Sequence, residues 1–395
     1  MTAYLDHAAT TPMVPAALEA MTEQLAIVGN ASSLHRTGRA ARRVVEESRE
    51  KIAKAIGARP SEVVFTSGGT ESDNLAVKGT YWSRRDADPA RTRLVVSALE
   101  HHAVLDTVEH LVRHDGAKVT WVEPTSDGFI EPDAVRRAIE QDPGSVALVS
   151  VMWANNEVGT IQQVDSTAAV AHEFDVPFHT DAVQAVGHVP VDFAASGADL
   201  LSLTAHKLGG PIGVGALVAR RDIRLVPLSH GGGQERQLRS GTFDTPAIRG
   251  FAAAVVAATE SLDSEMTRIT ALRDRLLERA TALGLGIRPG GYWRPGDHHR
   301  RLPGNAHLLI DGCDGDSLLY LLDAAGVSCS TGSACQAGVP QPSHVLLAMG
   351  TSEQDARGAL RLSLGHTSTE ADVDEVIEAL PSAIERARRA RQVTA

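Results

Sequence analysis

The first two-thirds of the chain alternates short β-branched runs with stretches whose apolar positions recur at helical spacing. The runs are Val63-Val64-Phe65, Leu94-Val95-Val96, Val119 to Val122, Val146 to Met152, Val176 to Asp181, Leu200 to Leu203 and Gly213 to Val218. Between them lie helix-like segments such as Arg39 to Ile56, which puts Val45, Ile52 and Ile56 on one face. This alternation predicts an α/β fold whose large domain holds a mostly parallel, seven-stranded sheet covered on both sides. Ligands on such sheets gather at the carboxyl ends of the strands.

A helical pattern from about Ala247 to Leu283 breaks near Ser261 and Asp263 and reads as the bridge to a smaller α+β domain. That domain is expected to hold strands at His307 to Ile310 and Ala359 to Leu364. A closing helix follows from Glu370, with Pro381 as a candidate kink. The expected division is 15–260 for the large domain, and 1–14 with 261–395 for the small one. The stretch Gly284 to Pro303, rich in Gly, Pro and Arg, reads as an exposed loop.

A length of 395 residues exceeds what one core organises, which agrees with two domains. Apolar and charged fractions of 43% and 22% are those of an ordinary globular protein. The net charge of −11 argues against direct nucleic-acid binding and against an anionic membrane surface, leaving room for a local basic patch. No apolar run is long enough to span a bilayer. Three cysteines, Cys313, Cys329 and Cys335, make no disulfide framework, and a reducing, cytoplasmic setting is expected.

The chemistry sits where strand patterns end. Lys207 closes the run Leu200 to His206 and opens the turn Gly209-Gly210-Pro211; a lysine there is costly unless its amine is used, commonly as a Schiff base. Asp181 ends the neighbouring run. A lysine for an aldehyde carbon and a carboxylate for a ring nitrogen suit pyridoxal phosphate. The alternative is a surface turn lysine and a helix-capping aspartate. Ser67-Gly68-Gly69-Thr70 lies between a strand and a helix, where backbone amides attract a phosphate; a plain strand-to-helix turn is the competing reading. Thr204 and His206 could complete a phosphate cup or cap the turn. His101 could stack on a cofactor ring or serve structure. Asn155 and Gln184 could contact the cofactor's phenolic oxygen.

Gly231-Gly232-Gly233 implies a loop with unusual dihedrals, and the following Arg239-Ser240-Gly241-Thr242 favours an anion contact. Arg361 interrupts an apolar strand, where it either grips a substrate carboxylate or forms an edge-strand salt bridge. Cys335 lies in Ser330 to Gly338, which has no apolar side chain larger than alanine besides the cysteine, a setting for a nucleophile rather than a packed thiol. Cys329 and Cys313 read as bystanders. A metal site from Cys329 and Cys335 lacks a second paired set.

Taken together, these segments closely resemble the cysteine desulfurases, pyridoxal 5'-phosphate enzymes of the aminotransferase class V group with fold type I. The resemblance runs nearly end to end, from Tyr4 to Thr11 and Gly29 to Ser33 to the Arg361 segment. Its most specific pieces are Thr204-Ala205-His206-Lys207, Gly231 to Thr242 and Ser330 to Cys335. The Ser-x-Gly-Ser-Ala-Cys form resembles the branch with the longer cysteine loop, which serves iron-sulfur assembly and tRNA thiolation. The resemblance implies that Lys207 is the Schiff-base lysine, Asp181 the partner of the pyridine nitrogen, His101 the stacking histidine and Gln184 the phenolic-oxygen contact. It makes Gly69, Thr70, Thr204 and His206 phosphate contacts, with Thr242 reaching in from the other subunit of a homodimer. Asn155 and Arg361 become binders of the L-cysteine carboxylate, and Cys335 the sulfur acceptor. Sulfur would pass on to an iron-sulfur scaffold or a tRNA thiouridylase, and Cys335 could transiently ligate a cluster with such a scaffold. Three departures stand out: Thr204 where serine is common, His366 to Thr369 after the Ser-Leu-Gly, and the bulky Trp153. Two rivals share parts of the evidence. A transaminase or selenocysteine lyase would need Lys207 and Asp181 but not Cys335, and a non-catalytic docking scaffold would bind no cofactor.

Overall fold

A computed structural model describes residues 2–332 and 342–394 of the chain, the last three without their side chains. Its strands are β1 (Ala3–Tyr4), β2 (Val63–Thr66), β3 (Arg93–Ser97), β4 (Lys118–Val122), β5 (Val146–Ser150), β6 (Phe178–Asp181), β7 (Leu200–Thr204), β8 (Gly215–Ala219), β9 (Ile287–Pro289), β10 (Asn305–Ile310), β11 (Val327–Ser328) and β12 (Ala359–Ser363). Seven of them form one sheet in the order β2-β8-β7-β6-β5-β3-β4. Only β8 runs against its neighbours there; the pairs β7-β6, β6-β5, β5-β3 and β3-β4 are parallel. Strands β3, β5, β6, β7 and β8 are buried at every position, the consequence of helices on both faces and the reason these runs are apolar rather than alternating. The seven strands are the seven expected from the sequence, each shifted by at most a few residues.

Helix Arg36–Ala55 buries Ala41, Val45, Ser48 and Ile52, one stripe at helical spacing. Helices Thr245–Glu260 and Leu262–Ala282 meet at Ser261, where the sequence predicts a break. Beyond it β9, β10 and β12 form an antiparallel sheet in the order β12-β10-β9, and β1 pairs in parallel with β11. A separate apolar cluster gathers Leu276, Leu308, Leu360 and Leu380, and it takes in Ala3 and Leu5 from the chain start; Ala17 already belongs to the core of the large sheet.

One local expectation is overturned. Gly284 to Pro303 is not simply an exposed loop: it contains β9, and Arg301 is fully buried. Its guanidinium donates to the carbonyls of Gly290, Tyr292 and Asn305 and to Asn305 Oδ1, so the cation replaces water as the partner of a buried turn. Burial holds its pKa down, to about 9. Pro381 lies on an exposed face and helix Glu370–Thr394 runs through it. The glycine run does lie in a loop of unusual dihedrals: Gly233 has a positive φ, and so do Arg236 and Gln237, at 52° and 60°.

Candidate active site

Chain ends of β6 and β7 open into a cavity of about 410 Å³, within the roughly 300–1,000 Å³ range of small-molecule sites. Lys207 follows β7 in a single 3-10 turn, Ala205–Lys207. Its amine donates to the backbone carbonyls of Ala8 (2.6 Å) and Ala9 (2.7 Å). Burial, then the nearby Arg361, push its pKa down to about 8, so a usable fraction is neutral near pH 7. Asp181, the last residue of β6, is buried, and one oxygen accepts from Val183 N at 2.8 Å. Burial, then Asp73, raise its pKa to about 8. A carboxyl in that position gains from a cationic N–H placed against it.

Opposite these two, His101 caps helix His102–Asp115: its Nδ1 accepts from Ala103 N at 3.1 Å, so a neutral ring carries its proton on Nε2. The surrounding wall and then Lys207 lower its pKa to about 4, so the ring is neutral near pH 7. Gln184 lines the cavity and donates to the Ala8 carbonyl at 2.9 Å, the same oxygen that Lys207 uses.

At the far end, Gly68 begins helix Gly69–Ala87 with no side chain capping its first turn, leaving amide N–H groups free for an anion. A Cβ on Gly69 would lie 2.7 Å from Val183, so only glycine permits that close approach. Thr70, Thr204 and His206 line this end. The Thr204 hydroxyl donates to the Val214 carbonyl at 3.2 Å, and His206 Nδ1 lies 3.3 Å from Thr10 Oγ1. Arg239 does not reach the cavity directly; it pairs with Glu71, whose other oxygen accepts from Ser67 N. Thr242 is exposed and does not line this chain's cavity.

Arg361 enters from edge strand β12, buried, with Nη2 2.9 Å from Asp6 Oδ1 and Nη1 donating to Asn156 O at 3.0 Å. The salt bridge of its bland reading is therefore present, yet the guanidinium also faces the cavity and its Nε has no partner. Asn155 is not brought to the cavity. Its fully buried amide donates to Leu99 O and accepts from the N–H groups of Glu157 and Val158, which shapes a turn; Asn156 lines the cavity instead. Cys335 lies outside the described residues, but Ser330 and Gly332, which lead to it, line the cavity. Cys329 is held as a thiol, its pKa pushed up to about 12 by burial and then Asp6, and Cys313 is fully buried. Among the described residues no cluster of His, Cys, Asp or Glu suits a metal ion, and no helix is long and apolar enough to cross a membrane.

Sequence reasoning missed Asp73. It lines the cavity from helix Gly69–Ala87, its Oδ1 is buried without a hydrogen-bond partner, and burial raises its pKa to about 7. His179 Nε2 lies 3.6 Å away and is bridged to Ser202, while Nδ1 meets Ser150. An acidic residue three positions after Thr70 on an otherwise ordinary helix start was the available signal.

The aminotransferase class-V family model matches residues 3–376. The IscS-like cysteine desulfurase of Mycobacterium tuberculosis is 59% identical over 388 residues, covering 98% of both chains. This chain is a member of the class-V aminotransferase family, among its cysteine desulfurases. Two solved structures extend the likeness. A NifS-like protein superposes with a TM-score of 0.87 at 34% identity, covering 98% of this chain and 99% of that one. SspA in complex with cysteine superposes at 0.78 with 35% identity, covering 92% and 99%. As a cysteine desulfurase of this family, with the fold type I architecture, the chain is an enzyme dependent on pyridoxal 5'-phosphate. The residues present fit that cofactor: an aldehyde-competent amine, a buried carboxyl lacking a cation, an uncapped helix start and a glycine cradle lie in one cavity.

Proposed function

We propose that this chain converts L-cysteine to L-alanine and passes the sulfur, as a persulfide on Cys335, to acceptor proteins. The supporting observation is one cavity shared by Lys207, Asp181, His101, Arg361 and the residues leading to Cys335. Bound pyridoxal phosphate supplies an electron sink for the carbon skeleton of the amino acid. Lys207 would hold it covalently and move the proton at the substrate Cα. Asp181 keeps a proton on the pyridine nitrogen. His101 would lie against the ring and offer Nε2–H as a proton donor, and Gln184 would serve the phenolic oxygen. Gly69, Thr70, Thr204 and His206 would hold the phosphate.

Arg361 takes the substrate carboxylate, using the donors that Asp6 and Asn156 leave free. Asn155 contributes through the turn that carries Asn156 rather than by direct contact. The Cys335 thiolate attacks the substrate sulfur: the S–S bond forms, the carbon–sulfur bond breaks, and its electron pair stays with the carbon. Protonation of that carbon completes the balance, L-cysteine plus one thiol giving L-alanine plus one persulfide.

The working unit is a homodimer in which Thr242 serves the partner's phosphate site. The segment from Leu25 to Leu34 leaves Leu25, Ile27, Val28 and Leu34 exposed, apolar surface that a second copy would cover. Acceptors are an iron-sulfur scaffold or a tRNA thiouridylase. A reducing compartment, the cytoplasm, suits chemistry that runs through a free thiol. Replacing Cys335 by serine tests the reading. Visible absorbance from the cofactor should persist while persulfide formation stops; undiminished sulfide release would refute the assignment.

A further inference from the structure

Residues 333–342, which include Cys335, run between Gly332 and Ser343 in sequence; Ser343 bonds to Glu157, a side chain that also lies beside Gly332. The Ser343 hydroxyl lies 2.5 Å from Glu157 Oε2. It also accepts from Leu346 N at 3.2 Å, capping helix His344–Ala348, so its single proton goes to the carboxylate. On the other side, a Cβ on Gly332 would sit 3.5 Å from Glu157 Cγ and Oε2, so that residue lies one carbon's width from the same group.

Glu157 is itself held firmly. It is buried, its N–H donates to Asn155 Oδ1 at 2.9 Å, and its carbonyl accepts from Asn305 Nδ2 at 2.7 Å. Asn305 is fixed in turn by the fully buried Arg301. This support reaches Glu157 from the Asn155 side chain in the turn after β5 and from Asn305 on β10, so both sheets hold it.

We infer that Glu157 is a positioning residue for sulfur transfer, holding the Ser343 end of the cysteine-bearing stretch beside Gly332 and the cavity wall. The proposal rests on the desulfurase reading. Chain geometry sets its scale: Cys335 is three residues from Gly332, so its Cα stays within about 10 Å of that residue at full extension. Releasing the Ser343 end loosens the stretch that carries the thiol, and a 1 Å misplacement of a reacting group can cost about a hundredfold in rate.

The test uses holoenzyme carrying Glu157→Ala, Glu157→Gln or Ser343→Ala. Three quantities are measured: cofactor absorbance, L-cysteine affinity from the change in that absorbance, and the single-turnover rate of persulfide formation on Cys335. We expect cofactor content and L-cysteine affinity within about twofold of the unaltered enzyme for all three, because Glu157 does not line the cavity. Persulfide formation should fall about a hundredfold in Glu157→Ala and roughly tenfold in Ser343→Ala, which loses one hydrogen bond to a charged group. Glu157→Gln, whose amide oxygen still accepts from Ser343, should recover to within about threefold of the unaltered rate. Should Glu157→Ala fail to fold, Ser343→Ala and Glu157→Gln carry the test. Unaltered persulfide rates in the variants would overturn the inference, as would losses shared equally by cofactor content and L-cysteine affinity. Absence of persulfide from the unaltered enzyme would instead bring down the desulfurase reading beneath it.

Discussion

Replacing Asp181 by asparagine in the cofactor-free enzyme isolates one buried carboxyl whose protonation the site controls. Burial and the neighbouring Asp73 raise the folded-state pKa of Asp181 to about 8, whereas an unfolded chain returns it to about 3.9. The folded chain then binds the proton more tightly, so stability is lost as the pH climbs from about 4 towards 8. Between pH 5 and pH 7 the unfolded chain gives up this proton while the folded chain largely keeps it, which amounts to about 3 kcal/mol for this one group. Asparagine cannot titrate. Urea denaturation of both cofactor-free proteins at pH 5, 6 and 7 should therefore show the unaltered chain losing about 3 kcal/mol relative to Asp181→Asn, a midpoint shift of roughly 1 M. Pyridoxal phosphate should abolish that differential loss by placing a pyridinium proton against the carboxylate. Parallel pH dependences for the two cofactor-free proteins would show that Asp181 is already ionised, and the electrostatic account of the site would fall.

Other expectations follow from individual contacts. Arg361→Lys keeps the charge but loses the two-pronged grip, so kcat/KM for L-cysteine should drop about tenfold to a hundredfold while cofactor absorbance is unchanged; steady-state kinetics on the holoenzyme decides it. Arg301→Met leaves four acceptor contacts of a buried turn unsatisfied and should cost about 3 kcal/mol in denaturation, with persulfide formation lost along with it.

Much of the architecture was legible because both-face burial writes itself into apolar runs. The seven sheet strands and the break at Ser261 emerged from periodicity alone, and Lys207, Asp181, Gln184 and His101 were flagged by lying just beyond those runs. What stayed hidden depends on contacts between distant segments. The Ala8 and Ala9 carbonyls that hold Lys207 are backbone groups with no residue signature, about 200 positions away in sequence. Asn155 and Asn156 are adjacent, and a one-residue change of phase decides which amide shapes the turn and which faces the cavity. Arg301 looked like surface because arginine usually is; only the ring of carbonyls around it explains its burial. Glu157 carried no signal at all, since Ser343, 186 positions away in sequence, meets it only in the folded chain.

Borohydride reduction of the holoenzyme followed by peptide mapping tests most directly whether Lys207 is the covalent anchor. The yellow colour should bleach, and the reduced cofactor should be found on the peptide containing Lys207. Cofactor retained on another lysine, or L-cysteine turnover by a protein whose Lys207 is never modified, would contradict the account.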